Sequence, residues 1–182
     1  MPDPVPAPNL AAIGWPDTAE LRTAAGEARV ARVIGQHRSA YVVADGPEHE
    51  WRAQPPAPWT RPRFDPELRA AVGDWVTLEP DGKHIVSVLP RYALLKRAAA
   101  GEHYKAQPIA ANIDHALVVV GLDRDFNPRR IERYLLLVQA SGAAPVLVLT
   151  KADQCEIVDD VLDTLVEVVE AGVPVHPVNA KD

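Results

Sequence analysis

The chain has a single cysteine, Cys155, among its 182 residues. That excludes an intramolecular disulfide and any zinc site built from several cysteines. With no histidine beside it in sequence, Cys155 reads as a small loop residue and not a nucleophile. No apolar run approaches the ~18–20 residues of a membrane span. The opening stretch MPDPVPAPNL lacks a basic region followed by an apolar core, so it is not a secretory signal. The six histidines show neither H-E-x-x-H nor any other ligand spacing, so no metal site is expected within these residues. The cytoplasm is therefore the expected compartment, with no membrane partner.

What remains is an ordinary globular composition, 47% apolar and 24% charged, long enough for one large domain or two small ones. The net charge of −6 is unevenly distributed. Residues 1–25 carry one Arg against three acids. Residues 26–107 carry 12 Lys/Arg against 10 Asp/Glu and four of the six histidines. Residues 108–182 carry 6 basic against 12 acidic residues. The acidity lies in the C-terminal part. The mildly basic middle allows an RNA-facing module without demanding one, because a mixed solvated surface has the same composition.

Four segments follow from the pattern. Residues 1–25 read as a tail, Pro-rich and disordered over 1–9, followed by a short helix or turn around Trp15-Pro16-Asp17. Residues 26–91 read as β: ARVARVIG (28–35), SAYVVAD (39–45), EHEWRAQ (48–54), VGDWVTLEP (72–80) and HIVSVLP (84–90) are five short strands. Asp81-Gly82-Lys83 makes a hairpin-like turn between the last two, and the five prolines of Pro55–Pro66 make a loop. Five such strands suit a small barrel, an OB-fold by preference or an SH3-like barrel, which strand spacing does not separate. Residues 92–107 form a basic connector.

From residue 108 the style changes to alternating strands and helices. IDHALVVVGLD (113–123) is a continuous apolar run of the parallel-sheet kind, expected to be buried on both faces. Asn127 as N-cap, Pro128 as first helical residue and Gly142 past the end bracket a helix whose Ile131, Tyr134, Leu135 and Val138 face the sheet. PVLVLT (145–150) is the next strand. Residues 156–172 form a second helix, with Val161, Leu165 and Val168 inward, and VPVHPVNAKD (173–182) is the third strand and its exit. A β-α-β-α-β unit with right-handed crossovers has parallel strands, so Asp123, Thr150–Asp153 and Asn179–Lys181 should meet at one sheet edge, where open α/β sheets bind ligands.

Two polar clusters at that edge resemble the base-reading loops of GTPases. Thr150-Lys151-Ala152-Asp153 resembles the motif in which an Asn or Thr and a Lys precede an Asp by one residue. Its carboxylate accepts from the ring N–H and exocyclic amine of guanine while the Lys stem lies against the base. Thr150 offers a hydroxyl where many GTPases offer an amide. Asn179-Ala180-Lys181 resembles the loop that gives the guanine carbonyl a backbone N–H. In the barrel, Arg29, Arg32 and Arg38 alternate along the first strand and turn as an RNA-binding or merely solvated face. Trp75 is a core residue or a platform for a base. Asn112 and Asp114 suit capping as well as catalysis.

Val72-Gly73-Asp74-Trp75-Val76, Ile109-Ala110-Ala111-Asn112-Ile113-Asp114, Thr150-Lys151-Ala152-Asp153 and Val178-Asn179-Ala180-Lys181 together, in this order, resemble the ribosome-small-subunit-dependent GTPase A family. Its members are circularly permuted GTPases with an N-terminal OB-fold and a C-terminal zinc-binding domain. The resemblance implies an OB-type barrel over residues 26–91 and an incomplete permuted GTPase domain over 108–182. It also implies GTP or GDP with Mg²⁺ as ligand, zinc only in the C-terminal domain, and the small ribosomal subunit with its rRNA as partner. No G-x-x-x-x-G-K-[ST] occurs in the chain, and that loop supplies the phosphate cradle. The expectation is thus an N-terminal part of such a protein, with no catalytic residue of its own and no unaided GTP hydrolysis. It should be a monomer whose exposed sheet edge allows dimerisation. The alternative is an RNA-binding OB module with a non-catalytic α/β partner.

Overall fold

The computed structural model describes residues 8–97, 106–124, 126–155, 157–166, 169 and 172–179. Most of the Pro-rich tail, the middle of the connector, Val168, Ala180 and Lys181 lie outside the described residues. The chain divides into two compact units, Met1–Asn112 and Ile113–Asp182.

The first unit is built on five antiparallel strands, β1 (Arg29–Gln36), β2 (Tyr41–Gly46), β3 (His49–Ala53), β4 (Trp75–Leu78) and β5 (Ile85–Val88), in the order β3-β2-β1-β4-β5. Three hairpin-connected strands with the fourth returning beside the first make a Greek key. The two outer strands then meet. Gln54 bridges His84 in parallel, with Gln54 N donating to Lys83 O at 2.7 Å and Ile85 N to Gln54 O at 2.9 Å. This closure gives the OB-type barrel, and it separates that fold from the SH3-like alternative. The Asp81-Gly82 turn forms as expected, with Gly82 at φ +73° and Lys83 N donating to Asp81 Oδ1 at 2.8 Å.

Alternation along β1 produces two cores. Ala31 and Val33 point into the barrel with Val43, Val76, Leu78 and Ile85. Val30 lies on the opposite face with Trp75 and Leu89, beneath Leu10, Ile13, Trp15 and Leu21. Leu21 belongs to α1 (Ala19–Ala25), which Thr18 caps by accepting from Leu21 N. The N-terminal segment therefore covers a face that alternation alone assigns to solvent.

The turn entering β4 is held by buried polar groups. Asp74 is fully buried, and Arg91 grips it through two bonds, Nε to Oδ1 at 2.8 Å and Nη2 to Oδ2 at 2.6 Å. Arg91 also donates to Glu67 O and Arg69 O, and Ala71 N donates to Asp74 Oδ2. Gly73 sits at φ +94°, where a Cβ would lie 2.0 Å from Ala111 O, so no other residue fits. Residues expected as connector contribute β6 (Leu94–Arg97), paired antiparallel with β7 (Gln107–Ala111). Ala111 N donates to Val72 O and Asn112 N to Ala93 O, which fastens this pair to the first unit.

The second unit is a parallel sheet of β8 (His115–Gly121), β9 (Ala144–Thr150) and β10 (Val175–Pro177) in the order β10-β9-β8, with α2 (Pro128–Ala140) and α3 (Val158–Val166). Asn127 accepts from Arg130 N at 3.1 Å and Gly142 follows α2 at φ +89°, the two caps legible in the sequence. Ile131, Leu135 and Val138 are buried, but Tyr134 is 41% exposed, because it stands at the margin of the helix's inner face. On α3, Leu165 is buried and Val161 half-buried. The expectation that β8 is buried on both faces fails. Val118 and Val120 are covered, whereas Leu117 and Val119 are 65% and 60% exposed. Among the described residues the sheet is covered on that other face alone.

Breaking a buried pair by removing one partner leaves an uncompensated charge. Asp74→Ala should therefore destabilise the barrel unit by about 3–5 kcal/mol, read from urea unfolding followed by tryptophan fluorescence. A loss below about 1 kcal/mol, the range of an exposed pair, would contradict the role given to this carboxylate.

Candidate functional site at the sheet edge

Parallel register brings the three strand ends together. Gly121 of β8 pairs with Thr150 of β9, and Pro177 of β10 with Leu149. Beyond the strands the bonding continues: Leu122 N donates to Thr150 O at 2.9 Å, Val178 N to Leu149 O at 2.8 Å and Ala152 N to Val178 O at 3.2 Å. The last of these ties the Thr150–Asp153 loop to the segment entering Asn179. The convergence expected at one edge is present as far as Asn179, which is half-buried. Ala180 and Lys181 lie outside the described residues.

Thr150 turns its hydroxyl back, donating to Val120 O at 3.4 Å. Lys151 then adopts a left-handed backbone, φ +59°, uncommon outside glycine, and caps the short 3₁₀ turn Ala152–Gln154. This reversal places Asp153 on an exposed turn. No partner for its carboxylate occurs among the described residues, so both oxygens are available as acceptors. Lys151 Nζ forms an ion pair with Asp123 from the end of β8. A Cβ on Gly121 would meet Asp123 Oδ2 at 3.2 Å and Lys151 Nζ at 3.5 Å, so the glycine makes room for this pair. Sequence reasoning placed Asp123 at the edge but not as the lysine's partner. It missed Gly121 altogether, whose only signal was a small residue closing an apolar run.

The arrangement suits one edge of a planar heterocycle bearing adjacent N–H donors. Asp153 supplies an exposed carboxylate with no partner among the described residues, and the backbone near Asn179 stands on the neighbouring strand end.

The RNA-binding candidates of the barrel are differently placed. Trp75 is 1% exposed and packs edge-to-face on Trp15, with centroids 4.9 Å apart at 85°, so its ring offers no face to a base. Arg32 is spent internally. Its guanidinium lies 5.4 Å from the Trp75 ring and donates to Ile13 O and Asn112 O at 2.5 and 3.0 Å. Arg29 pairs with buried Asp45 at 2.9 Å and stacks on Trp51 at 4.4 Å. Arg38 is exposed, with no partner among the described residues. Asn112 is a buried left-handed residue, φ +52°. Its Oδ1 accepts from Tyr92 N and its Nδ2 donates to Gly73 O, which makes it a turn-former. Asp114 O accepts from Ala144 N, holding the start of β8 to β9. Glu79, Asp81 and His84 bring three possible metal ligands together, but they are exposed and spent locally: His84 pairs with Glu79 at 3.2 Å and Asp81 holds the turn.

The order of a Greek-key barrel followed by a parallel sheet with its loops at one edge recurs in two solved structures. YjeQ from Thermotoga maritima matches with a TM-score of 0.61 over 84% of this chain and 52% of that one, at 23% identity. YloQ, described as a circularly permuted GTPase, matches with a TM-score of 0.58 over 87% and 54%, also at 23% identity. At this identity the likeness concerns the fold.

Sequence carries the family. The RsgA GTPase family profile matches residues 88–182, and the chain belongs to that family. It is 54% identical, over 96% of its length, to the small ribosomal subunit biogenesis GTPase RsgA of Xanthomonas axonopodis pv. citri, and equally to that of Xanthomonas campestris pv. campestris strain B100. In both cases it covers 50% of the relative, so the chain spans about half the length of the curated relatives it matches.

Proposed function

We propose that these residues form the guanine-recognising half of a GTP site, joined to an RNA-facing barrel, in a factor for late maturation of the small ribosomal subunit. The observation that carries the reading is the bonded pair of loops at the sheet edge, with the exposed Asp153 carboxylate unpaired among the described residues. Family membership supports it, since the relatives are GTPases of small ribosomal subunit biogenesis. In this reading Asp153 accepts from the ring N–H and amine of guanine, and Lys151 lies against the base. Asn179, Ala180 and Lys181 offer a backbone N–H to the carbonyl, and Thr150 shapes the loop. GTP supplies the phosphoanhydride to be cleaved, and Mg²⁺ would accompany its phosphates. No residue of this chain is assigned to Mg²⁺ or to zinc. The site of action is the cytoplasm, on rRNA of the small subunit.

The same reading makes these 182 residues inactive alone, for want of a G-x-x-x-x-G-K-[ST] loop. Phosphate release from GTP by this chain should stay at background with or without small ribosomal subunits. Subunit-stimulated turnover would contradict it.

Hydrogen bonds to a charged group contribute about 1.5–3 kcal/mol. In a protein of the relatives' full length carrying this segment, Asp153→Asn should therefore weaken GDP binding at least about tenfold. It should also shift preference toward xanthosine diphosphate, whose base presents a carbonyl where guanine has the amine. Unchanged preference for GDP, measured by calorimetric titration, would remove Asp153 from the base site.

A further inference from the structure

The first unit contains a polar cavity of about 330 Å³ whose lining includes Gln36, Pro66, Arg69, Arg97 and Gln107 and, among the described residues, no carboxylate. It lies where β1 ends at Gln36 and the chain enters the turn carrying the exposed Arg38. In OB-folds the β1–β2 loop is one of the nucleic-acid-binding loops.

Both arginines are held in place without being neutralised. Arg69 Nη2 donates to Arg61 O at 3.1 Å, and its guanidinium lies 5.9 Å from the Phe64 ring. The Arg69 backbone is fixed by Arg91, which donates to Arg69 O at 2.7 Å. Arg69 Nε is buried with no hydrogen-bond partner among the described residues. Arg97 Nη2 donates to Gln107 Oε1 at 3.1 Å. That bond occupies the amide's acceptor and leaves its N–H₂ group as a further donor. The nearby Glu67 carboxylate is taken by Lys96 at 2.9 Å. Neither Arg69 nor Arg97 has an ion-pair partner among the described residues. Among the described residues the cavity thus presents guanidinium donors and positive charge without a counterion. A tetrahedral oxyanion matches guanidinium forks of this kind.

We propose that this cavity seats a phosphodiester of a single RNA strand, gripped by Arg69 and Arg97 and followed by Arg38 along the β1–β2 turn. The inference rests on the RNA-facing reading of the barrel and names the residues that serve it. They differ from Arg29, Arg32 and Trp75, which the fold uses internally.

The test is fluorescence anisotropy of a labelled oligouridylate titrated with the 182-residue chain over a range of KCl concentrations. Arg97→Gln, Arg69→Gln and, as reference, Arg133→Gln on the exposed side of α2 are compared with it. Each lost phosphate contact on a single strand should reduce the slope of log K against log salt by about 0.7. Affinity should fall about tenfold for Arg97→Gln and again for Arg69→Gln, with Arg133→Gln unchanged. Arg97 is exposed, so its variant tests the site even if Arg69→Gln perturbs folding. Binding by the parent chain with unaltered slope and affinity in Arg97→Gln would overturn this site and leave the RNA-facing reading standing. Absence of oligouridylate binding by the parent chain at low salt would overturn both. Binding of inorganic phosphate without RNA binding would assign the cavity to a free anion and overturn the proposal.

Discussion

The parallel register of β8, β9 and β10 is the constraint on which the candidate site depends. It ends three strands at one level, so loops nearly 60 residues apart in sequence become neighbours. The backbone bond from Ala152 N to Val178 O is a direct consequence. Shifting β9 by one residue would reverse the faces of its side chains and separate the loops. The buried Leu147 and Leu149 guard against that slip, since they must remain under α2. The left-handed Lys151 then turns the chain so that Asp153 emerges into solvent.

The first unit is organised around a different kind of group. Asp74, Arg91 and Asn112 are polar side chains that bind the Pro-rich loop, the start of β4 and the β6–β7 pair into one piece. Apart from the two bonds between Arg91 and Asp74, these side chains bond to backbone, so they fix chain paths. One product of that order is the placement of Arg69, whose carbonyl Arg91 holds. Arg29, Arg32 and Arg91 are engaged within the fold, whereas Arg38, Arg69 and Arg97 have no ion-pair partner among the described residues.

Much of this was legible in the sequence wherever local chemistry decides. The five barrel strands, the Asp81-Gly82 turn and the caps Asn127 and Gly142 follow from alternation, turn residues and the orphan groups of helix ends. The edge location of Thr150–Asp153 followed from topology. Long-range packing was not legible. Arg32 read as part of a solvated or RNA-binding face, and Trp75 as core or platform, and the packing of Leu10–Leu21 decides both for the interior. The short strand β6 inside the basic connector, and β7 beginning at its last residue, carried too few residues to show a period. The exposure of Leu117 and Val119 was invisible because an apolar run reads the same whether one face is covered or two. The lysine–aspartate pair across β8 and β9 required knowing the register.

The central claim is that the paired loops at the sheet edge recognise guanine. The most direct measurement is a nuclear magnetic resonance titration of the ¹⁵N-labelled chain with guanosine and, separately, adenosine. The base alone probes this edge, with no phosphate required. The account predicts shifts with guanosine confined to the amides of Lys151–Gln154 and Val178–Lys181, and none of comparable size with adenosine. Equal responses to the two nucleosides, or shifts confined to the barrel unit, would contradict it.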